Sequence, residues 1–190
     1  MKICLQVISL LLCIGIYLSC ASVPASAIVV NYVVPVAPVI QAKSNWCWAA
    51  CAEMCGKTIA PSSTRTQYDV VKYIKGDTYN VGGNKLECAN GCKYVALSEK
   101  DFIIGYMDFS VIGNRTGRNE ALVAFGEPTE GSGGHTFLIR GSQFVDGSGS
   151  TQYNIDYINP SNGNNYHCSY ESFCNGEYNN FICEFMTYTK

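Results

Sequence analysis

The first half of the chain follows a helical spacing of hydrophobic and polar positions. Residues 45–56 contain three alanines, and their cysteines recur every four residues along one stripe. Ser44 or Asn45 can cap this segment and Gly56 can stop it, as is typical of a helix. Residues 66–75 repeat the spacing of apolar side chains and end before a glycine. The pattern therefore predicts two helices.

The segments around these helices are less regular. Residues 77–93 are rich in turn-forming residues, which indicates a loop. Ser98 and Asp101 resemble a capping box and predict a short helix that ends near Tyr106. Residues 28–40 are β-branched and interrupted by prolines, so they favour an extended segment at the edge of a sheet.

Alternating hydrophobic and polar positions replace the helical spacing in the second half. A glycine-rich loop at 129–134 and an Asn159-Pro160 step separate segments that are typical of antiparallel strands. The predicted strands are residues 121–125, 135–140, 153–158 and 181–185. This order predicts an α+β fold in which an N-terminal helical half precedes a C-terminal antiparallel sheet half.

The N-terminal segment has the pattern of a secretory signal peptide. Lys2 precedes an apolar core at residues 8–18, which is too short to span a membrane as a helix. A small-x-small sequence ends at Ala27, so we predict a signal peptide over residues 1–27 and a single domain over residues 28–190. This prediction makes the protein secreted or periplasmic.

A lipid anchor is the alternative for the N-terminal segment. Residues 18–20 read Leu-Ser-Cys and partly resemble a lipoprotein acylation site, which would attach Cys20 to the outer side of a membrane. In either case the mature chain leaves the cytosol, so we expect disulfide bonds. If one cysteine after the leader is a free nucleophile, an odd number remains, and the spacing does not assign pairs. The cysteines after the leader are Cys47, Cys51, Cys55, Cys88, Cys92, Cys168, Cys174 and Cys183.

Composition excludes several classes of partner. The net charge is −2 and lysine and arginine do not cluster, so we expect neither nucleic-acid binding nor attachment through a polybasic patch. Apolar residues make up 47% of the chain and charged residues 15%, which favours a packed core over disorder. We expect a monomer with no membrane span in the mature chain.

Cys47 is the candidate nucleophile, because it opens the first predicted helix. The positive end of a helix dipole favours the thiolate form of a cysteine. The only two tryptophans, Trp46 and Trp48, flank Cys47 and either shield the thiolate from water or pack in the core. Gln41 lies six residues upstream, where its side-chain N–H can donate to a developing oxyanion. The alternative for Cys47 is a cysteine in a disulfide bond.

His135 is the candidate base. It follows Gly133 and Gly134, which allow a close approach of the backbone, and it begins a predicted strand. A neutral imidazole there can take the proton of the thiol and form an ion pair with the thiolate. His167 is the only other histidine and is the alternative base. The two glycines, like the two tryptophans, are candidate substrate-binding residues.

Asn159 is the candidate group that orients His135. It ends the strand that follows the His135 strand, and a hairpin would place the two side chains side by side. One alternative is a plain Asn-Pro turn that only ends the strand. The other is Asp156 as the orienting group.

A zinc site is a further alternative for some of the cysteines. Cys88 and Cys92 have three residues between them, and His167 and Cys168 offer two more ligands. The spacing is not the common Cys-x2-Cys, and the expected compartment is oxidising. We therefore expect no metal and no other cofactor.

At these residues the chain resembles the papain-like cysteine peptidases, and most closely their compact bacterial members. The likeness rests on Gln41, the run Ser-Asn-Trp-Cys-Trp-Ala-Ala at 44–50, the Gly-Gly-His at 133–135 and the Asn-Pro step at 159–160. It spans roughly residues 34–160. Type III effector proteases and the leader peptidase domains of bacteriocin exporters are similar in size and layout.

The resemblance implies a papain-like fold and hydrolysis of peptide or protein substrates through a thioacyl-enzyme. Cys47, His135 and Asn159 would form the catalytic triad, and Gln41 would stabilise the oxyanion. Two other functions stay open: a related acyl transfer such as transglutamination or deamidation, and a non-catalytic, disulfide-stapled binding module. The Cys-Gly-Ser-Cys-Trp string of plant and lysosomal papains is absent, so the substrate specificity stays open.

Overall fold

The structure is a computed structural model that describes residues 27–147 and 149–190. The predicted signal peptide, apart from Ala27, and the alternative lipid attachment at Cys20 lie outside the described residues. No helix within the described ranges is long and apolar enough to cross a membrane.

The described chain combines helices with an antiparallel sheet. The helices are α1 (Cys47–Ile59), α2 (Gln67–Lys75), α3 (Lys85–Val95), α4 (Phe109–Thr116) and α5 (Tyr170–Cys174). The strands are β1 (Ile28–Val33), β2 (Phe102–Tyr106), β3 (Leu122–Pro128), β4 (His135–Gly147), β5 (Ser150–Asn159), β6 (Asn164–Ser169) and β7 (Phe181–Thr189). This is an α+β fold, as the hydrophobic pattern predicts.

The strands form one sheet in the order β2–β7–β3–β4–β5–β6, and β1 also pairs with β4. The long strand β4 organises this sheet. Its first half pairs with β3 and its second half with β1, while β5 pairs with it from Leu138 onward. All of these pairs are antiparallel. β1 lies within the segment for which the sequence predicts an extended edge.

Apolar side chains cover the sheet on both faces. On one face Trp48 from α1 packs in a cluster with Leu138 and Ile158. The other cluster contains Phe137 and Phe173, with α4 and α5 over it. Burial of each such large apolar side chain stabilises the fold by about 1.5–3 kcal/mol. This two-sided burial explains why β3 and the first half of β4 read as almost continuous apolar runs.

The prediction of a loop over residues 77–93 is wrong at its C-terminal end, where α3 begins at Lys85. Asn84 caps this helix: its side chain accepts a hydrogen bond from the backbone N–H of Glu87 at 2.9 Å. The Glu87 carboxylate accepts one in return from the backbone N–H of Asn84 at 2.8 Å. The turn-forming residues that indicated a loop are therefore the start signal of a helix.

The prediction of a short helix from Ser98 to Tyr106 is also wrong, because residues 102–106 form strand β2 against β7. Leu97 and Ser98 have φ angles of 56° and 62°, in the left-handed region, so they end α3 rather than begin a helix. Asp101 binds Lys93 instead of capping the backbone. The pattern made no prediction for α4, β6 or α5.

All eight cysteines among the described residues are free thiols in this structure, although the sequence analysis expects disulfide bonds. Four of them are fully buried where α1 packs against α3. The Sγ of Cys88 lies 3.5 Å from the backbone oxygen of Trp48. These four are Cys51, Cys55, Cys88 and Cys92. In this structure they pack as small apolar groups of the core.

Candidate active site

Cys47 is the first residue of α1, and only 8% of it is exposed. The backbone oxygen of Trp46 starts the helix by accepting hydrogen bonds from Ala49 and Ala50, each at 3.0 Å. The first turn contains no acidic residue that would offset the positive end of the helix dipole. The sulfur therefore lies where backbone N–H groups favour a negative charge.

The pKa of Cys47 lies below its usual value. Burial raises this pKa, but the hydrogen bond and charge of His135 outweigh that effect, together with the side chain and backbone of Thr136. The pKa of His135 lies above its usual value. Burial lowers it, while the contact with Cys47 and the hydrogen bond to Asn159 raise it more. Opposite shifts in the two partners favour a thiolate–imidazolium ion pair.

His135 opens β4, and Asn159 closes β5. The β4–β5 hairpin brings them together, and the His135 Nε2–H donates to the Asn159 Oδ1 at 2.9 Å. This contact leaves Nδ1 of the ring for Cys47. The ring also packs edge-on against Phe137, with 4.7 Å between centroids. This hairpin arrangement of His135 and Asn159 agrees with the prediction from the strand pattern.

The alternative base and the alternative orienting group lie next to each other rather than at Cys47. Nδ1 of His167 is 2.8 Å from Oδ1 of Asp156, on the neighbouring strands β5 and β6. His167 is largely exposed. The described contacts of these two residues include neither Cys47 nor His135.

Gln41 lies beside the site, but its amide hydrogen-bonds to other groups. Its Nε2 donates to the backbone oxygens of Lys43 at 3.0 Å and Ser44 at 2.8 Å. Its Oε1 accepts from the Ser161 hydroxyl at 3.3 Å, and that hydroxyl is 3.4 Å from Nε2 of His135. The oxyanion role of Gln41 stays a prediction, and it requires the amide to turn and release one N–H.

A cleft of about 620 Å³ opens over Cys47. Glycines form parts of both walls, and at Gly83 a Cβ atom would lie 2.3 Å from the Trp48 ring. Gly133 has a φ of 98°, in a region where a residue with a side chain would strain the backbone. The residues of the cleft include Cys47, Trp48, Gly82, Gly83, Leu86, Ile104, Phe125, Gly126, Gly133, Gly134, His135 and Thr136.

The two tryptophans, both predicted to bind substrate, have different places. Trp48 lines the cleft, whereas Trp46 is absent from its walls and packs in the core against Tyr68, with centroids 4.9 Å apart. The indole N–H of Trp46 donates to the backbone oxygen of Tyr79 at 2.8 Å, and that of Trp48 donates to the backbone oxygen of Val81 at 3.3 Å. Both side chains therefore hold the segment that leads into Gly82 and Gly83 in the cleft wall.

Two residues at the site were not predicted from the sequence. Thr136 follows His135 in β4, lines the cleft and is only 4% exposed. The sequence signal that points to Thr136 is a polar residue at the start of an otherwise apolar strand. Ser161 donates its backbone N–H to the Asn159 Oδ1 at 2.9 Å, so the side chain of Asn159 holds its own turn as well as the imidazole. The sequence signal that points to Ser161 is a hydroxyl residue directly after the Asn159-Pro160 step.

The zinc alternative has no counterpart among the described residues. They contain no group of three or more histidine, cysteine, aspartate or glutamate side chains arranged to hold a metal ion. Cys88 and Cys92 lie between α1 and α3, whereas His167 lies on β6 and contacts Asp156.

No protein-family model matches this chain, and no curated protein is significantly similar to it. The functional conclusion therefore rests on the residues and their arrangement.

Proposed function

We propose that the protein is an exported cysteine endopeptidase with a papain-like fold and a Cys47–His135–Asn159 triad. The observation that carries this proposal is the convergence of Cys47 from α1 and His135 from β4 at one open cleft, with Asn159 of β5 hydrogen-bonded to the His135 ring. The opposite pKa shifts of Cys47 and His135 support a nucleophile that ionises more readily than an ordinary thiol.

In this mechanism the Cys47 thiolate attacks the scissile carbonyl of a peptide. His135 carries the proton on Nδ1 and passes it to the leaving amine, which leaves a thioester on Cys47. Asn159 holds the imidazole through Nε2 and so keeps Nδ1 aimed at the sulfur. Water, deprotonated by His135, then hydrolyses the thioester and regenerates the free enzyme.

The oxyanion of the tetrahedral intermediate needs hydrogen-bond donors. The backbone N–H of Cys47 is one, because the first N–H groups of a helix have no partner within the helix. Gln41 supplies the second when substrate binding turns its amide away from the oxygens of Lys43 and Ser44.

The shape of the cleft suits a polypeptide substrate. Glycines on both walls leave room for an extended chain beside the backbone, and Leu86 and Ile104 add apolar contacts. The predicted signal peptide supports action outside the cytosol, in the secreted or periplasmic space.

The test compares two cysteines on one helix. Cys47→Ala should abolish hydrolysis of casein and of a mixture of fluorogenic peptides, since removal of a nucleophile costs on the order of 10⁴-fold or more in rate. Cys51→Ala, one turn along α1 and also buried, should retain activity. Circular dichroism checks that both variants fold.

Retained activity in a folded Cys47→Ala variant would overturn the proposal. Mass spectrometry of the products separates the related reactions: transglutamination gives isopeptide bonds, deamidation gives acidic side chains, and proteolysis gives new termini.

A further inference from the structure

The hydroxyl of Thr136 is buried beside the candidate nucleophile without a hydrogen-bond partner. Its Oγ1 makes no hydrogen bond of good geometry among the described residues. Burial of an unpaired hydroxyl is unfavourable, and such groups in native structures usually serve a purpose. Thr136 lies in the wall of the cleft, directly after His135.

The acceptors next to this hydroxyl are sulfur atoms. The side chain of Thr136 lies against both Cys47 and Cys51, and its backbone N–H also points at Cys47. A neutral thiol is a weak acceptor, whereas a thiolate is a strong one. Burial holds the pKa of Cys51 well above its usual value, so Cys51 stays a thiol. The strong acceptor therefore forms only at Cys47.

We propose that Thr136 is a further catalytic residue, whose hydroxyl donates a hydrogen bond to the Cys47 thiolate in the resting enzyme. This role rests on the proposed peptidase function. The hydroxyl stabilises the thiolate without competing for its proton, and it fixes the sulfur from the side of β4. His135 then supplies the proton for the leaving amine, while the hydroxyl and backbone N–H of Thr136 stabilise the negative charge on the Cys47 sulfur.

Few other groups act on the sulfur. The titratable and charged groups around it are His135 on β4, Cys51 on α1, and Lys85 and Glu127 at the cleft walls. Removal of the Thr136 hydroxyl raises the pKa of Cys51 further, so Cys51 stays a neutral thiol, and the other three groups keep their contacts. A shift in the behaviour of Cys47 can then be assigned to that hydroxyl.

The experiment measures the rate at which iodoacetamide labels Cys47 as a function of pH, mapped by peptide mass spectrometry. Thr136→Val keeps the shape and removes the hydroxyl. It should raise the pKa of Cys47 by about one unit, which is about a tenfold loss of thiolate on the acid side. Thr136→Ser should restore the wild-type profile. Thr136→Ala removes the same hydroxyl if the valine variant does not fold.

A matched control comes from the same sheet. Thr187 on β7 also has a fully buried hydroxyl with no hydrogen-bond partner in the described part of the chain, and it does not line the cleft. Thr187→Val should leave the labelling profile of Cys47 unchanged, which separates the loss of a buried hydroxyl in general from its loss at the sulfur.

Three outcomes overturn the role of Thr136. The first is an unshifted profile in folded Thr136→Val or Thr136→Ala. The second is an equal shift in Thr136→Ser, which would indicate packing rather than hydrogen bonding. The third is an inert Cys47 in the wild-type protein, which would also overturn the peptidase proposal. A reactive wild-type Cys47 with unshifted variants would overturn Thr136 alone.

Discussion

Cys47 and Cys51 lie one turn apart on the same helix, and their surroundings give them opposite chemistry. Both are buried, and burial raises the pKa of each. For Cys47, the ring of His135 and the two donors of Thr136 reverse this effect. For Cys51, a single contact with Thr136 does not, because three neighbouring thiols raise the pKa further.

The comparison extends to the regions that hold the two cysteines. Cys47 lies at the N-terminal end of α1, where the cleft opens and strand β4 presents polar groups. Cys51 belongs to the interface between α1 and α3, where its neighbours are other thiols and apolar side chains. Partners from distant parts of the chain, rather than the residue type, therefore decide which of the two cysteines has the lowered pKa.

The largest effect should follow from removing His135, the partner that lowers the pKa of Cys47 but does not act on Cys51. His135→Ala takes away the proton acceptor of Cys47 and should lower kcat/KM on the order of 10³-fold. His167→Ala removes the alternative base, which contacts Asp156, and should leave activity unchanged. Steady-state kinetics on a fluorogenic peptide measure both. Equal losses in the two variants would contradict the assignment of the base.

The pH dependence of activity tests the shifted pKa values of Cys47 and His135. The active ion pair needs an ionised Cys47 and a protonated His135. Activity should therefore rise as pH passes the pKa of Cys47, which His135 and Thr136 hold below its usual value. It should fall as pH passes the pKa of His135, above the usual imidazole value of about 6.5. Each limb should change about tenfold per pH unit.

These limbs belong to the coupled pair rather than to one residue alone. A profile of kcat/KM over pH 4–10 would show them as a rising acid limb and a falling alkaline limb. An activity that appears only in the usual thiol range would mean that Cys47 is no more acidic than an ordinary cysteine.

A smaller effect is expected from the group that orients the base. Asn159→Ala removes the 2.9 Å hydrogen bond to His135 and should lower kcat about tenfold, the equivalent of one good hydrogen bond. KM should change little, because Asn159 is not part of the cleft wall. Asp156→Ala is the matched control and should behave as wild type. Loss in the control but not in Asn159→Ala would reverse the two assignments.

Sequence signals predicted the parts of the site that depend on local structure. Cys47 at a helix start, His135 at a strand start and Asn159 at a strand end follow from short patterns, and a hairpin then brings the last two together. The class of the fold followed from the same spacing. The catalytic roles of these residues stay predictions.

The parts that depend on distant partners were not predicted. The start of α3 is the one local exception, because the turn-forming residues before Lys85 favour a loop as well as the capping exchange between Asn84 and Glu87. β2 forms because β7, far along the chain, offers it an edge. The importance of Thr136 depends on α1 packing against β4.

We propose that Cys47 alone among the eight cysteines of the described residues is held as a thiolate. The most direct measurement is brief iodoacetamide labelling of the unreduced protein at about pH 5.5, where an ordinary thiol is almost fully protonated. The account predicts fast labelling confined to the peptide that contains Cys47. Slow labelling of Cys47, at the rate of the other cysteines or not at all, would contradict it.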